Sequence, residues 1–256
     1  MKIIKSPKNQ KILNKKGHIL VGYLTAGYPD RESFCETLRE CEKAQIDILE
    51  IGYPAKEPMA DGDIIQLAHQ AIDMSIATDL LFWQKVRNEV ERPIWLMAYK
   101  KDIMQQDFYL ELAEEKLIDA IVIPDMTIDE RLVLEKRLSS YEVDVVGFIS
   151  PDMNYEQVQR CLENYALIYQ QLYSGPTGMQ INSDNYSELL KQTKQYKDIN
   201  VFAGFGISTP ERVKELLLNG FDGVIVGTAM MKKRMESLEE LVKFIYLLKE
   251  ATEGVR

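Results

Sequence analysis

Residues Asn200–Met230 of this 256-residue chain run NVFAGFGISTPERVKELLLNGFDGVIVGTAM. The stretch opens and closes with short apolar runs, at Asn200–Ala203 and Asp222–Val226, which are typical of strands covered on both faces. Between them, Pro210–Leu218 has helical periodicity, with a proline in its first turn and Gly220 just past its end. The order of strand, glycine-bearing turn, helix and strand predicts one unit of a parallel sheet.

The same unit recurs along the chain. Six further apolar runs precede this stretch: His18–Leu24, Asp47–Ile51, Ile94–Ala98, Asp119–Ile123, Val143–Ile149 and Ala166–Gln171. Amphipathic helical patterns lie between and after the strands: Arg31–Lys43, Asp63–Met74, Asp79–Val90, Asp107–Glu115, Asp129–Leu138, Tyr155–Leu162, Tyr186–Tyr196 and Leu238–Lys249.

Eight strands alternating with helices over about 250 residues predict a parallel (β/α)8 barrel. We expect a single domain over residues 1–256, with a basic segment at residues 1–16 that packs on the barrel or leads into it. A doubly wound open sheet is the alternative. Eight evenly spaced units without a topological break favour the barrel.

Composition and charge narrow the function. The chain is 28% charged and 46% hydrophobic, and its net charge of −9 argues against nucleic acid or anionic membranes as partners. There is no apolar run of about 18 residues, and the basic start lacks the apolar core of a signal peptide. Cys35, Cys41 and Cys161 have no metal-binding spacing. They fit a reducing compartment, so we expect a cytoplasmic protein without a bound metal.

Glycine-bearing loops mark the ends of the last strands, and chemistry in either fold belongs at the carboxyl ends of strands. The last two strands run into Ala203–Ser208 and Val226–Met230, and YSGPTG at Tyr173–Gly178 follows the sixth strand. Backbone amides at such turns bind anions, and phosphate sites in barrels commonly lie after strands seven and eight. We therefore predict a phosphate cradle formed by Gly178, Gly206, Gly227 and Thr228.

Two carboxyl residues mark the region after the second strand. Glu50 lies inside an apolar run near a strand end, where its carboxyl would point into the barrel. Desolvation there raises the pKa of a carboxyl toward the range of a general acid or base at neutral pH. Asp61 lies in the sequence MADGD, which is typical of a turn. Other strand-end residues either fill the core or line a pocket for a flat aromatic ligand: Tyr23, Met97, Tyr99, Ile149, Tyr169 and Phe205.

These motifs resemble those of one enzyme family. LEIGYPAKEPMADGDIIQ (Leu49–Gln66) is similar to the pattern LE-(I/L)-G-(I/V)-P, three variable positions, P-(L/M/V)-ADG and IQ of tryptophan synthase alpha subunits. GFGIS (Gly204–Ser208), GVIVGTAM (Gly223–Met230) and the pair Thr177-Gly178 agree in order and spacing, and the similarity spans nearly the whole chain. The resemblance implies a phosphate-binding barrel lyase. Its reaction would be a retro-aldol cleavage of indole-3-glycerol phosphate into indole and glyceraldehyde 3-phosphate.

The resemblance also implies residue roles. Glu50 would transfer protons at indole C3 and at the glycerol hydroxyl, and Asp61 would accept the indole N–H. Tyr169 would lie beside the catalytic carboxyl, and Thr177 would belong to a loop that closes over the site. The phosphate would contact Gly178, Gly206, Gly227 and Thr228, the last in place of the family's usual Ser. No cofactor is implied on this chain, since pyridoxal phosphate belongs to the family's beta subunit.

The chain departs from the family pattern at six places, several of which belong, in the family, to loops that face the beta subunit or signal to it. They are Tyr28 for Asp, Ala55-Lys56-Glu57 for Phe-Ser-Asp, Asp63 for Pro, Lys100-Lys101 after Tyr99 for Asn, Asp125-Met126-Thr127 for Asp-x-Pro, and Tyr173 for Arg. We therefore hypothesise that the beta-subunit contact is altered or absent. The chain would then be a stand-alone lyase or a paralogue that acts on a related phosphate; a non-catalytic binding subunit is a further alternative.

Other phosphate barrels fit less well. An epimerase of the ribulose-phosphate type needs several metal-binding histidines, and the chain has only His18 and His69. Indole-glycerol-phosphate synthase needs lysines within strands, whereas Lys100 and Lys101 follow the third strand. A non-catalytic barrel gives no reason for a carboxyl as costly to desolvate as that of Glu50.

Overall fold

The computed structural model describes residues 2–15, 17–58, 61–105, 107–177 and 186–255. Nine parallel strands lie within these residues and form a barrel that is surrounded by helices. Their bounds are β1 Ile19–Thr25, β2 Ile48–Gly52, β3 Ile94–Met97, β4 Ala120–Val122, β5 Asp144–Val145, β6 Gly147–Ile149, β7 Leu167–Gln171, β8 Asn200–Gly204 and β9 Gly223–Val226. Most strand residues are apolar because helices cover their outer face and side chains fill the inside.

The sheet closes within the predicted fifth strand. Its order is β5-β4-β3-β2-β1-β9-β8-β7-β6, and only Val146 separates the two end strands in the chain. The Val146 amide still donates to the Ile121 carbonyl of β4 (3.0 Å), whereas β6 pairs with β7. The predicted strand Val143–Ile149 therefore changes partner halfway along. The (β/α)8 barrel predicted from the sequence is confirmed, with its fifth strand in two pieces.

Helices alternate with the strands. Those in the described residues are α1 Pro7–Leu13, α2 Arg31–Lys43, α3 Asp63–Ala71, α4 Leu80–Asn88, α5 Lys100–Ile103, α6 Phe108–Glu114, α7 Ile128–Arg137, α8 Tyr155–Asn164, α9 Tyr186–Thr193, α10 Pro210–Leu218, α11 Thr228–Glu236 and α12 Leu238–Glu253, with a 3₁₀ helix at Met74–Thr78. Polar residues set many of the starts, and Thr127 with Glu130 and Asn154 with Gln157 form capping boxes. Within the described part of the chain, no helix is both long and apolar enough to cross a bilayer.

Two apolar layers stabilise the barrel. One fills its inside and includes Val21, Ile48, Trp95 and Phe202, with the rings of Trp95 and Phe202 5.1 Å apart in an edge-to-face contact. The larger layer lies between strands and helices. Successive strand residues point to opposite faces, so position along a strand decides which layer a side chain enters.

The residues before β1 close the amino-terminal end of the barrel. Asn9 of α1 is fully buried; its side chain accepts from Trp95 Nε1 (2.9 Å) and donates to the Asp119 carbonyl (3.1 Å) and to Asp144 Oδ2 (2.8 Å). The Ser6 hydroxyl donates to Asp119 Oδ1 (2.8 Å). Helix α1 was not among the predicted helices. It is only seven residues long, and these tertiary contacts hold it in place.

Candidate active site

A cavity of about 380 Å³ lies at the carboxyl ends of the strands, where barrel enzymes act. Glycine-bearing loops after β8 and β9 form one side, and Asp61 reaches the cavity from the loop after β2, here called loop two and described at residues 53–58 and 61–62. Most of the predicted site residues line this cavity: Tyr23, Glu50, Asp61, Met97, Tyr169, Thr177, Phe205, Gly206, Gly227 and Thr228.

Glu50 is the buried carboxyl of this cavity. It sits on β2 opposite Tyr23 of β1 and Trp95 of β3, and only 2% of its surface is exposed. Its Oε1 atom is buried without a hydrogen-bond partner among the described residues. Burial, and then the charge of Asp61, raises the pKa of Glu50 to about 8. The carboxyl is therefore mostly protonated at neutral pH.

Asp61 faces the same cavity from the end of loop two. Burial raises its pKa to about 6, while two hydrogen bonds act in the opposite direction. Tyr99 Oη donates to Asp61 Oδ2 (2.7 Å), and Thr177 Oγ1 donates to Asp61 Oδ1 (3.4 Å). Asp61 therefore ionises before Glu50, and at neutral pH one carboxylate faces one protonated carboxyl.

Loop two touches the start of the loop after β7 at Thr177. The Gly62 amide donates to Thr177 Oγ1 (2.9 Å), so this hydroxyl joins the two loops beside Asp61. A Cβ at Gly62 would lie 2.2 Å from the Thr177 carbonyl oxygen, so glycine is needed for this approach. Gly178, predicted to bind phosphate, lies outside the described residues.

The opposite side of the cavity presents backbone amides. Helix α11 begins at Thr228 without a side-chain cap, and Thr228 Oγ1 is buried without a hydrogen-bond partner among the described residues. Gly206 has a φ of +70°, which turns the β8 loop back toward the cavity. Lys232, one helical turn after Thr228, also lines this side. The amides at an uncapped helix start, a hydroxyl without a partner among the described residues and a cation together suit an anionic ligand.

An aromatic wall joins the two sides. Phe148, Tyr169 and Phe205 contact one another with ring centroids 5.2 to 6.4 Å apart, and Met97 packs against the same apolar layer. Phe205 has a φ of +75°, a left-handed conformation that is uncommon for a bulky residue. A flat aromatic ligand fits against such rings.

One predicted site residue is misplaced. Ile149 does not line the cavity; it is fully buried in the layer between strands and helices. Its neighbour Phe148 points inward instead, because successive strand residues alternate.

Sequence reasoning also missed partners of the site. Tyr99 was predicted as a pocket or core residue, and the structure makes it a hydrogen-bond donor to Asp61. The inward position of Phe148 could have been found from the sequence, because side chains along a strand point alternately inward and outward. No local signal pointed to the Tyr99 contact, because it joins residues 38 positions apart.

The titratable residues form no metal centre that the structure reveals. Within the described residues, no group of three His, Cys, Asp or Glu side chains is arranged to hold a metal ion. Cys35, Cys41 and Cys161 are buried free thiols.

A parallel barrel with two coupled carboxyl groups at its carboxyl-end cavity defines an enzyme of the (β/α)8 class. Comparison with known proteins narrows that class: the sequence model of the family described as "Tryptophan synthase alpha chain" matches residues 9–254. The chain belongs to this family, as its motifs predict. It is therefore a carbon–carbon lyase of tryptophan biosynthesis.

Individual relatives agree with the assignment. The tryptophan synthase alpha chain of Methanopyrus kandleri is 32% identical over 248 residues, which cover 93% of this chain and 89% of the relative. That of Aquifex aeolicus is 32% identical over 266 residues, covering 98% of each chain. A structure of tryptophan synthase from Mycobacterium tuberculosis superimposes with a TM-score of 0.85 over 98% of this chain and 99% of that one. At 22% identity this last likeness shows the fold alone.

Proposed function

We propose that this chain cleaves indole-3-glycerol phosphate into indole and glyceraldehyde 3-phosphate, with Glu50 as the proton carrier and Asp61 as the acceptor for the indole N–H. One observation carries the proposal: the buried carboxyl of Glu50, whose Oε1 has no hydrogen-bond partner among the described residues, faces the same cavity as the Asp61 carboxylate. An acid and an anion held apart in pKa within one cavity suit a reaction that needs both.

The protonated state of Glu50 suits the first step. Its proton goes to indole C3, which makes the ring cationic. The resulting carboxylate then takes the proton of the glycerol hydroxyl next to C3. The C3–glycerol bond breaks, its electron pair returns to the ring, and the hydroxyl carbon becomes an aldehyde. Glu50 ends protonated again, so one carboxyl acts as acid and then as base.

Asp61 stabilises the charge that this step creates. A carboxylate that accepts the indole N–H lowers the energy of the cationic ring more than that of the neutral substrate, which is the requirement for catalysis. The hydrogen bonds from Tyr99 and Thr177 favour the ionised form of Asp61 and fix its direction. Loop two and the start of the β7 loop thus act together on the indole side.

The phosphate is assigned to the amide side of the cavity. Gly206, Gly227 and Thr228 offer backbone N–H groups, and the unpartnered Thr228 hydroxyl supplies a further donor. Lys232 adds a positive charge at the mouth. Tyr23 lies next to Glu50 in register and close to Gly227, and together with the aromatic wall it lines the cavity in which the indole ring and glycerol would fit.

A second proposal concerns the partner. The substituted lysines are paired within the chain: Lys101 Nζ lies 2.8 Å from Glu57, and Lys100 Nζ lies 2.9 Å from Glu130 of α7. Asp125 accepts from the Lys100 amide (2.9 Å). Charges that are satisfied within the chain are not available to a partner, which supports an altered beta-subunit contact. Pyridoxal phosphate would belong to a beta subunit; the steps assigned to this chain are proton transfers.

Indole release from indole-3-glycerol phosphate tests both proposals. The purified chain is assayed alone, with a tryptophan synthase beta subunit, and as Glu50→Gln; Glu36→Gln, an exposed residue of α2, is the matched control. Release that is lost only in Glu50→Gln supports the lyase assignment. Release by the chain alone, with no complex on size exclusion, supports the partner proposal. No release in any arm refutes the substrate, and a stable complex with the beta subunit on size exclusion refutes the altered contact.

A further inference from the structure

A buried histidine next to the cavity has no part in the steps above. His69 lies on α3 and is 4% exposed. Its Nδ1 accepts a hydrogen bond from the Ala55 amide of loop two (3.3 Å), and its Nε2 lies 3.3 Å from the Tyr23 hydroxyl of β1. One imidazole thus joins three elements: a barrel strand, loop two and α3.

The contacts define the tautomer of His69. Burial lowers the pKa of His69 to about 4, so the ring is neutral at physiological pH. An amide can only donate, so Nδ1, which accepts from Ala55, carries no proton. The single ring proton is then on Nε2, and His69 donates to Tyr23 Oη. The Tyr23 hydroxyl keeps its own proton, for which Thr25 Oγ1 lies at 3.4 Å.

Tyr23 occupies a central place in the cavity wall. It pairs in register with Glu50 of β2, and its Cβ lies 3.7 Å from the position a Cβ would take at Gly227. The ring therefore stands between the carboxyl pair and the phosphate end. A shift of this ring changes where the indole and glycerol parts of a ligand rest relative to Glu50.

We propose that His69 is a positioning residue of the lyase site, which holds the Tyr23 ring in the cavity wall and ties it to loop two. His69 does not touch the ligand in this proposal; it acts through Tyr23. The proposal rests on the proposed function for its effect on turnover. Its effect on ligand binding does not require turnover.

The two bonds of His69 can be removed separately. An Asn side chain places its oxygen near the position of Nδ1, so His69→Asn keeps the Ala55 bond and loses the Tyr23 bond. A Gln side chain reaches the position of Nε2, so His69→Gln keeps the Tyr23 bond. Tyr23→Phe removes that bond from the other side. His18→Asn, at the start of β1, is the matched control.

Kinetics and binding decide the proposal. We expect Tyr23→Phe and His69→Asn each to lower kcat/KM for indole release about tenfold, the factor expected for one lost orienting hydrogen bond, with no further loss in the double variant. His69→Gln should recover most of the activity. Affinity for indole-3-propyl phosphate, an analogue without the glycerol hydroxyls, should change in the same order. The thermal unfolding midpoint is measured for every variant.

Two results would overturn the proposal. One is kcat/KM and analogue affinity within twofold of the wild type in both Tyr23→Phe and His69→Asn. The other is equal losses in His69→Asn and His69→Gln that follow their unfolding midpoints, since a merely structural histidine predicts this. A wild-type chain that releases no indole defeats the proposed function instead, and analogue affinity in the same variants then decides the role of His69.

Discussion

Replacing Glu50 by Gln separates the chemical role of this residue from its structural cost. The substitution keeps the side-chain shape and removes the transferable proton. General acid–base catalysis typically contributes about 10²- to 10⁴-fold, so we expect indole release to fall at least about 100-fold. That loss corresponds to about 3 kcal/mol of transition-state stabilisation.

The same change should stabilise the fold at alkaline pH. The pKa of Glu50 is raised from 4.5 to about 8, first by burial and then by the Asp61 charge. A carboxyl with a higher pKa in the folded state contributes stability that is complete below pH 4.5 and is lost as the pH rises to about 8. The gap between these pKa values is worth about 5 kcal/mol, and Gln, which does not ionise, avoids the loss.

Thermal unfolding at pH 5, 7 and 9 measures this effect. For a chain of this size, about 5 kcal/mol corresponds to roughly 10 °C in Tm. Glu50→Gln should therefore match the wild type near pH 5 and exceed its Tm by roughly 10 °C at pH 9. Glu36→Gln should show no such pH dependence. A Tm difference that is constant with pH, or indole release unchanged by the substitution, would refute the reasoning.

Three further changes probe the rest of the site. In the wild type, kcat/KM should rise near pH 6 as Asp61 ionises and fall above about pH 8 as Glu50 loses its proton. Asp61→Asn should lower kcat about 100-fold and abolish the rise near pH 6. A rise that remains at the same pH in the variant would contradict this. Thr228→Val removes a hydroxyl that has no partner among the described residues, so Tm should stay within about 2 °C while KM rises roughly tenfold. An unchanged KM in steady-state kinetics would exclude Thr228 from the phosphate site. Gly62→Ala places a methyl 2.2 Å from the Thr177 carbonyl oxygen. The methyl should displace loop two and lower kcat about tenfold, and a wild-type kcat in this variant would contradict the expectation.

The alternation of apolar runs and helical patterns in the sequence predicts the fold. The structure differs from that prediction where pairing between distant residues decides the outcome. The strand positions were predictable because apolar runs and helical patterns alternate without a break. The split of the fifth strand at Val146 was not, since it depends on which neighbour each half pairs with. Helix α1 was missed because its seven residues gain their stability from Asp119 and Asp144, far away in sequence.

Site residues could be predicted where the neighbouring sequence carries the signal. Glu50 stood out as a carboxyl in an apolar run, and Asp61 only through the family motif. Ile149 was placed in the pocket because the segment VVGFI is apolar at every position but one, so it carries no alternation signal. The donors Tyr99 and His69 act across 38 and 46 positions, beyond any sequence pattern.

The closure of the barrel's amino-terminal end has a consequence for synthesis on the ribosome. Asn9 reaches its partners 110 and 135 positions later in the chain, and the Lys2 amide donates to Asp198, 196 positions away. These contacts are therefore complete only after residue 198 has left the ribosome. An incomplete sheet has open edges that can pair with other chains, so we expect the partly synthesised barrel to be at its most prone to aggregate before these contacts form.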